Sequence, residues 1–229
     1  MTQKNRLLDI PLLRANAPKT LAGYQRFRTV IDNDGALPAT IKALLVAVAA
    51  STKGYPELAR RELDRGMALG LGFAEATAGV TILCSVRGEG AALRFLDLVE
   101  QVYADRIDPA TARLEIEVGP NEARDNFLTY FGKMPVSLGE LLEHVPVAAD
   151  AYYLMREGTL ATTAIGKVNA ELLLVTVIAA DYHPLAAVHA RGAITAGASK
   201  AELYEAILCA VPVAGLSAWV AAINAIAGQ

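Results

Sequence analysis

The stretch "ELLLVTVIAADYHPLAAVHARGAITAG", residues 171–197, decides how the chain folds. It opens as an apolar run behind a single glutamate, then carries two of the chain's three histidines with a tyrosine beside them. The run "LLLVTVIAA" alone suits a buried strand or a buried helix, because a short continuous apolar run has no periodicity to separate the two. Its surroundings favour a helix hairpin. "DYHP" (181–184) reads as a sharp turn, Pro184 suits the first position of a new helix, and Gly197 stands where a C′ glycine stops it. Ser199, followed three residues later by Glu202, is a capping box opening a further helix. The reading is a helix over 168–180, a turn, a helix over 184–196, a glycine stop and a last helix that Pro212 kinks.

On this hairpin Glu171 and His189 lie about 13.5 Å and 7.5 Å from the turn at about 1.5 Å rise per residue. With an interaxial gap of about 9 Å their backbones stand roughly 11 Å apart, a span that two extended side chains bridge directly or through one water. A carboxylate facing an imidazole fixes its tautomer and raises its basicity, as a general base near neutral pH requires. The same residues have a structural reading. Leu185 and Ala193 at i−4 and i+4 set His189 on an apolar face, and Glu171 suits a first helical turn, where the dipole favours a carboxylate. Arg191 lies about 200° around the helix from His189 and points elsewhere. His144, in "LLEHVP", reads as a surface residue near a helix end.

The hairpin has an echo. "YPELARRELDRGMALGLGFAEA" (55–76) superposes on "YHPLAAVHARGAITAGASKAEL" (182–203), placing Tyr55 over Tyr182, Glu62 over His189, Gly70 over Gly197 and Glu75 over Glu202. "CSVRGEGAALRF" and "CAVPVAGLSAWV" pair Cys84 with Cys209 and Gly90 with Gly215, which implies two extra residues in the first half. The chain divides into similar units over 1–103 and 127–229, joined by a charged, proline-bearing connector over 104–126.

Composition agrees with a helical chain. Of 229 residues 54% are hydrophobic but only 6% aromatic, and Ala, Leu and Val dominate. A net charge of −3 without a basic cluster argues against a nucleic-acid partner. Two distant cysteines, with no CxxC and no Cys/His metal spacing, indicate neither a disulfide framework nor a metal site and suit a reducing cytoplasm. Residues 206–228 carry no charge and are long enough to raise a membrane alarm, but Pro212, Gly215, Ser217 and Asn224 favour a helix buried on all sides, between subunits.

The glutamate-bearing apolar helix, the turn, "HARGAITAG" and the "SKAEL" cap resemble the carboxymuconolactone decarboxylase and alkylhydroperoxidase D superfamily. So do "YQRFRTVIDNDGALPATIKALLVAVAAS" and "YFGKMPVSLGELLEHVPVAADAYYLMREG", so that the resemblance covers nearly the whole chain in two tandem copies. It implies an all-α fold of two helical repeats. The peroxidase branch of that superfamily places a CxxC pair where this chain has Tyr182 and Leu185, so thiol peroxidase chemistry lacks its nucleophile, and Cys84 and Cys209 lie in the following helices. The decarboxylase branch implies a site without cofactor or metal, in which His189 moves a proton, Glu171 orients it, and Tyr182 and His183 hydrogen-bond a small carboxylate, lactone or oxidised aromatic. The Glu-to-His spacing of 18 is one shorter than that family's usual spacing. In the first copy Ala43 takes the glutamate position and Glu62 the histidine position, which leaves that copy a structural role or a share in the walls of the other site. The rival readings are a non-catalytic binding or scaffold protein and, last, a peroxide reductase. Single-copy relatives resemble hexamers, so the duplication implies a homotrimer.

Overall fold

The computed structural model describes residues 5–104, 115–161 and 163–228, and these are all-helical, with no strand. The helices are α1 (Pro11–Asn16), α2 (Pro18–Asp32), α3 (Ala39–Thr52), α4 (Pro56–Ala68), α5 (Phe73–Arg87), α6 (Glu89–Val102) and α7 (Glu122–Phe131), then α8 (Val136–His144), α9 (Pro146–Leu160), α10 (Gly166–Ala180), α11 (Ala186–Thr195), α12 (Lys200–Leu208), α13 (Val211–Ala214) and α14 (Leu216–Ala227). Of the expected connector, residues 105–114 lie outside the described residues, and α7 has already begun at Glu122.

The two greasiest runs become the centre. α3 and α10 pack on each other, and nearly every side chain from Ile41 to Ser51 and from Ala170 to Ala180 is buried, as befits helices that are apolar all round. Two polar crossings fasten this core. At one end Asp181 pairs with Lys53 at 2.9 Å and with Arg87. At the other, Glu205 of α12 accepts from the backbone N–H groups of Ala36 and Leu37, each at 2.9 Å, and from the fully buried Lys42 at 3.0 Å. Burial would raise the Glu205 pKa, but these donors win and hold it below the ordinary value.

Corresponding features recur along the chain. α2 and α9 both open on proline, at Pro18 and Pro146, and both bury an arginine at the same step, Arg28 and Arg156. The turn after α3 and the turn after α10 are closed by matching bonds, Tyr55 N–H to Ala50 O and His183 N–H to Ile178 O. Tyr182 therefore takes the left-handed position that Gly54 fills in the first turn, with φ of 58° against 72°. Tyr55 thus matches His183 rather than Tyr182. Farther on, Gly88 and Gly215 share one cap conformation, φ/ψ of 77°/176° and 74°/178°. Gly215 matches Gly88 and not Gly90, and the expected two-residue insertion is absent.

The one-residue difference lies instead between His183 and His189. With one residue fewer there, the chain enters α11 through tight i→i−3 bonds: Ala186 N–H to His183 O, Ala187 N–H to Pro184 O and Val188 N–H to Leu185 O. Helix α11 consequently starts at Ala186, and Pro184 belongs to the turn rather than to the first helical position. Gly197 follows the helix at φ 110°, and Ser199 and Glu202 form the capping box.

The uncharged segment 206–228 is not one helix. It breaks into the end of α12, the single turn α13 holding Pro212, and α14 after Gly215. Ala210, Ala218 and Ala222 are buried within the chain, whereas Leu216 and Val220 are 52% and 49% exposed. Among the described residues no helix is long and apolar enough to cross a membrane.

Removing Glu205 strips the partner from a buried ammonium, whereas removing Ser199 Oγ strips one helix cap. Glu205→Ala is expected to lower the unfolding free energy by about 3–5 kcal/mol, against about 1 kcal/mol for Ser199→Ala. Urea unfolding followed by circular dichroism checks the difference; equal losses would contradict the role given to Glu205.

Candidate active site

Glu171 projects from α10 with no solvent exposure, and His189 reaches it from α11 with Nδ1 2.8 Å from Oε2. A third group joins them. The Tyr130 hydroxyl, from α7, donates to Glu171, 3.0 Å from Oε1 and 3.2 Å from Oε2, and lies 3.4 Å from His189 Nδ1. A buried carboxylate needs donors on both oxygens, and among the described residues its one ion-pair partner is His189. With Glu171 accepting, Nδ1 carries a proton and Nε2 of the neutral imidazole is left as the basic lone pair. The imidazole is 18% exposed, so a small molecule has access to it. Burial, and then the Glu171 charge, push the Tyr130 hydroxyl well above its ordinary pKa, so it acts as a donor.

Two further residues hold this arrangement. The Arg156 guanidinium of α9 lies 3.6 Å from the Tyr130 ring centroid and donates to Asn126, which fixes the ring from behind. Gly192, one turn after His189, makes room. A Cβ there would stand 2.5 Å from Glu171 Oε1, inside van der Waals contact.

Beside Tyr130 opens a cavity of about 270 Å³, walled by Arg156, Lys167, Val188, Arg191 and Thr195. Its cations outnumber the single carboxylate in its wall, Glu157, and Arg156 Nε is buried without a hydrogen-bond partner. Such a wall attracts a carboxylate. A larger cavity of about 480 Å³ lies at α1 and α2, lined by Leu8, Asp9, Arg14 and Gln25; its one carboxylate, Asp9, is ion-paired with Arg14 at 3.0 Å, and no histidine lines it.

Of the residues singled out in the sequence, Glu171 and His189 meet. The cavity beside Tyr130 is lined by Tyr130, Val188 and Gly192, neighbours of the pair, and not by Glu171 or His189 themselves; Tyr182 and His183 stay in the turn and do not line it either. The Tyr182 hydroxyl donates to Ala214 O at 2.7 Å, and His183 Nδ1 accepts from the Leu185 N–H at 3.2 Å. Arg191, thought to point away, lines the cavity. His144 ends α8 on the surface, 3.4 Å from Glu140. Cys209 is buried and its thiol is pushed up to about 12, which leaves it without thiolate character. Among the described residues no cluster of metal-ligating side chains occurs. Tyr130, Arg156 and Gly192 were not foreseen. The available signal was the alignment of Pro18 with Pro146, which lays Arg28 over Arg156.

The first half arranges the corresponding positions differently. Glu62 is fully buried and bonded to Arg28 at 2.9 Å, Arg61 at 2.8 Å and Arg65 at 2.8 Å. Burial would raise its pKa, but the charges of Arg28, Arg65 and Arg61 hold it below its ordinary value.

Residues 146–227 match the model of the carboxymuconolactone decarboxylase family. The match lies within the second half of the chain and spans 82 of its 229 residues. The fold is similar, at TM-score 0.60 and 21% identity, to a crystal structure from Burkholderia xenovorans LB400 described as a candidate gamma-carboxymuconolactone decarboxylase subunit. That likeness covers 99% of this chain and 98% of the other. No protein of curated function matches the sequence.

Two outcomes follow from these geometries. Gly192→Ala is expected to displace the Glu171 carboxylate from His189, visible in a crystal structure of the variant as a Glu171–His189 distance beyond hydrogen-bond range; an unchanged 2.8 Å contact would contradict the packing role of Gly192. Glu62, with its folded pKa lowered, contributes stability that is present above its ordinary 4.5 and lost as pH falls through the folded value. Glu62→Gln is expected to cost about 3–5 kcal/mol at neutral pH, and less as the buffer is acidified below 4.5. Urea titrations at the two pH values measure it.

Proposed function

We propose that this protein belongs to the carboxymuconolactone decarboxylase and alkylhydroperoxidase D superfamily and is a cofactor-independent lyase or isomerase that acts by acid–base chemistry on a small carboxylate, lactone or oxidised aromatic. The carrying observation is the 2.8 Å contact between a buried Glu171 and His189 Nδ1, which leaves Nε2 as the free base. In an isomerisation Nε2 takes a proton from the carbon beside a carbonyl and returns it to a neighbouring carbon. In a decarboxylation Nε2 first takes up a proton from solvent, the bond to the departing carboxylate breaks and releases CO2, its electron pair enters the adjacent carbonyl system, and Nε2–H then delivers that proton to carbon. Tyr130 and Glu171 hold the imidazole in place throughout, and Arg156, Lys167 and Arg191 hold a carboxylate that does not react. Tyr182 and His183 are assigned no part in this step.

We further infer that the halves are two copies of one unit, from the shared openings at Pro18 and Pro146 and the shared caps at Gly88 and Gly215. The homotrimer is part of the same reading, with exposed Leu185, Leu216 and Val220 as candidate contact residues. Two free cysteines suit a reducing compartment, and the cytoplasm is the one proposed.

Gamma-carboxymuconolactone, from the described role of the Burkholderia protein, is the first substrate to assay. His189→Ala is expected to lower kcat by about 10²–10⁴ with the helical spectrum intact, and Lys167→Gln to raise KM with kcat held. Turnover by His189→Ala at the parent rate would refute the assignment. Light scattering tests the assembly: a mass near one 24.2 kDa chain would sink the trimer.

A further inference from the structure

The spacing of Arg61, Glu62 and Arg65 sets these side chains on one side of α4, and Arg28 and Asp32 face them from α2. Together with Asn5 they line a cavity of about 380 Å³, within the size range of small-ligand sites. The hydrogen bonding there is incomplete in one direction only. Glu62 Oε1 accepts from Arg28 and Arg61, and Oε2 accepts from Arg65. Asp32 accepts from Arg28 through both oxygens. Every carboxylate oxygen is engaged, whereas Arg28 Nη1 and Arg65 Nη2 are buried without a hydrogen-bond partner. Arg28 is only 5% exposed. Three guanidinium groups against two carboxylates leave one positive charge in the lining. Buried charged donors without an acceptor are costly, and the cavity beside them is open to an anion.

We propose that this first-half cavity binds a small monocarboxylate and does not transform it. One negative charge neutralises the residual positive one, and the planar forks of Arg28, Arg61 and Arg65 match carboxylate geometry. No imidazole lines the cavity, and the one buried carboxylate at the histidine-equivalent position, Glu62, is held by three arginines, so no free base faces the ligand. The inference does not rest on the acid–base reading of the second half.

The test is a titration of full-length protein with 4-fluorobenzoate, read by ¹⁹F NMR, on wild type, Arg61→Gln, Arg65→Lys and Arg156→Gln. Arg65→Lys keeps the charge beside Glu62 but removes the fork carrying Nη2, so it stays informative if Arg61→Gln disturbs the fold, which thermal unfolding reports. The expected result is saturable binding that survives Arg156→Gln and is weakened about tenfold or more in Arg61→Gln and Arg65→Lys. Absence of saturable binding to wild type, or binding that Arg61→Gln and Arg65→Lys leave unchanged, overturns the proposal. Inorganic phosphate displacing the probe at lower concentration than unlabelled benzoate does would overturn the carboxylate assignment. Failure of the second-half reading registers separately, as turnover unchanged by His189→Ala.

Discussion

A carboxylate sealed from water at the centre of a helical bundle is the constraint around which the second half is built. Left without donors, Glu171 would take up a proton or swing away, since an isolated buried charge costs far more than the fold can spare. Two groups prevent this, the His189 imidazole and the Tyr130 hydroxyl. Each brings its own requirement. His189 needs α11 close against α10, which Gly192 allows by having no side chain where the carboxylate sits. Tyr130 needs α7 docked over the site, and the small cluster of Phe127, Ala123 and Ala149, together with the Arg156 stack, holds it there. The same bonds that satisfy the carboxylate orient the imidazole, so stability and chemistry rest on one contact.

The parts of this arrangement that are local in sequence were legible before the structure. The apolar run, the turn, the capping box and the Glu-to-His span are near-neighbour features, and helical geometry alone brought Glu171 within reach of His189. Tyr130 and Arg156 come from α7 and α9, and no pattern near residues 171–197 announces them. Their placement depends on how an arm with its own small hydrophobic cluster folds back onto the core. Tyr55 and Tyr182 look alike in sequence, but backbone hydrogen bonding equates Tyr182 with Gly54, a shift of one residue in the turn. Side-chain identity suggested one register, and the left-handed conformation required another. The kink expected at Pro212 is a full break, because Pro212 sits in the single turn α13 and Gly215, at φ 74°, separates that turn from α14.

On the proposed two-copy reading, the halves differ by a coupled exchange. Where the second half has Glu171, His189 and Gly192, the first has Ala43, Glu62 and Arg65. Ala43 is fully buried where the other half carries Glu171, and Arg65, where the other half has Gly192, donates to Glu62 at 2.8 Å. Charge is conserved in kind but moved: one buried glutamate per half, on α10 in one and on α4 in the other. Its partner changes from an imidazole, which has a ring nitrogen able to accept a proton, to guanidinium groups, which only donate. On the two-copy reading, one frame would carry both the proposed proton-transfer site and the proposed anion-holding site.

The central claim is that Glu171 fixes His189 with its proton on Nδ1 and a free lone pair on Nε2. Long-range ¹H–¹⁵N NMR reads this directly, and with three histidines in the chain the assignment is simple. In neutral His189 the ring nitrogens should show a protonated Nδ1 and an unprotonated Nε2, and Glu171→Gln should erase that preference. A proton resident on Nε2 of neutral His189, or a tautomer indifferent to Glu171→Gln, would contradict the claim.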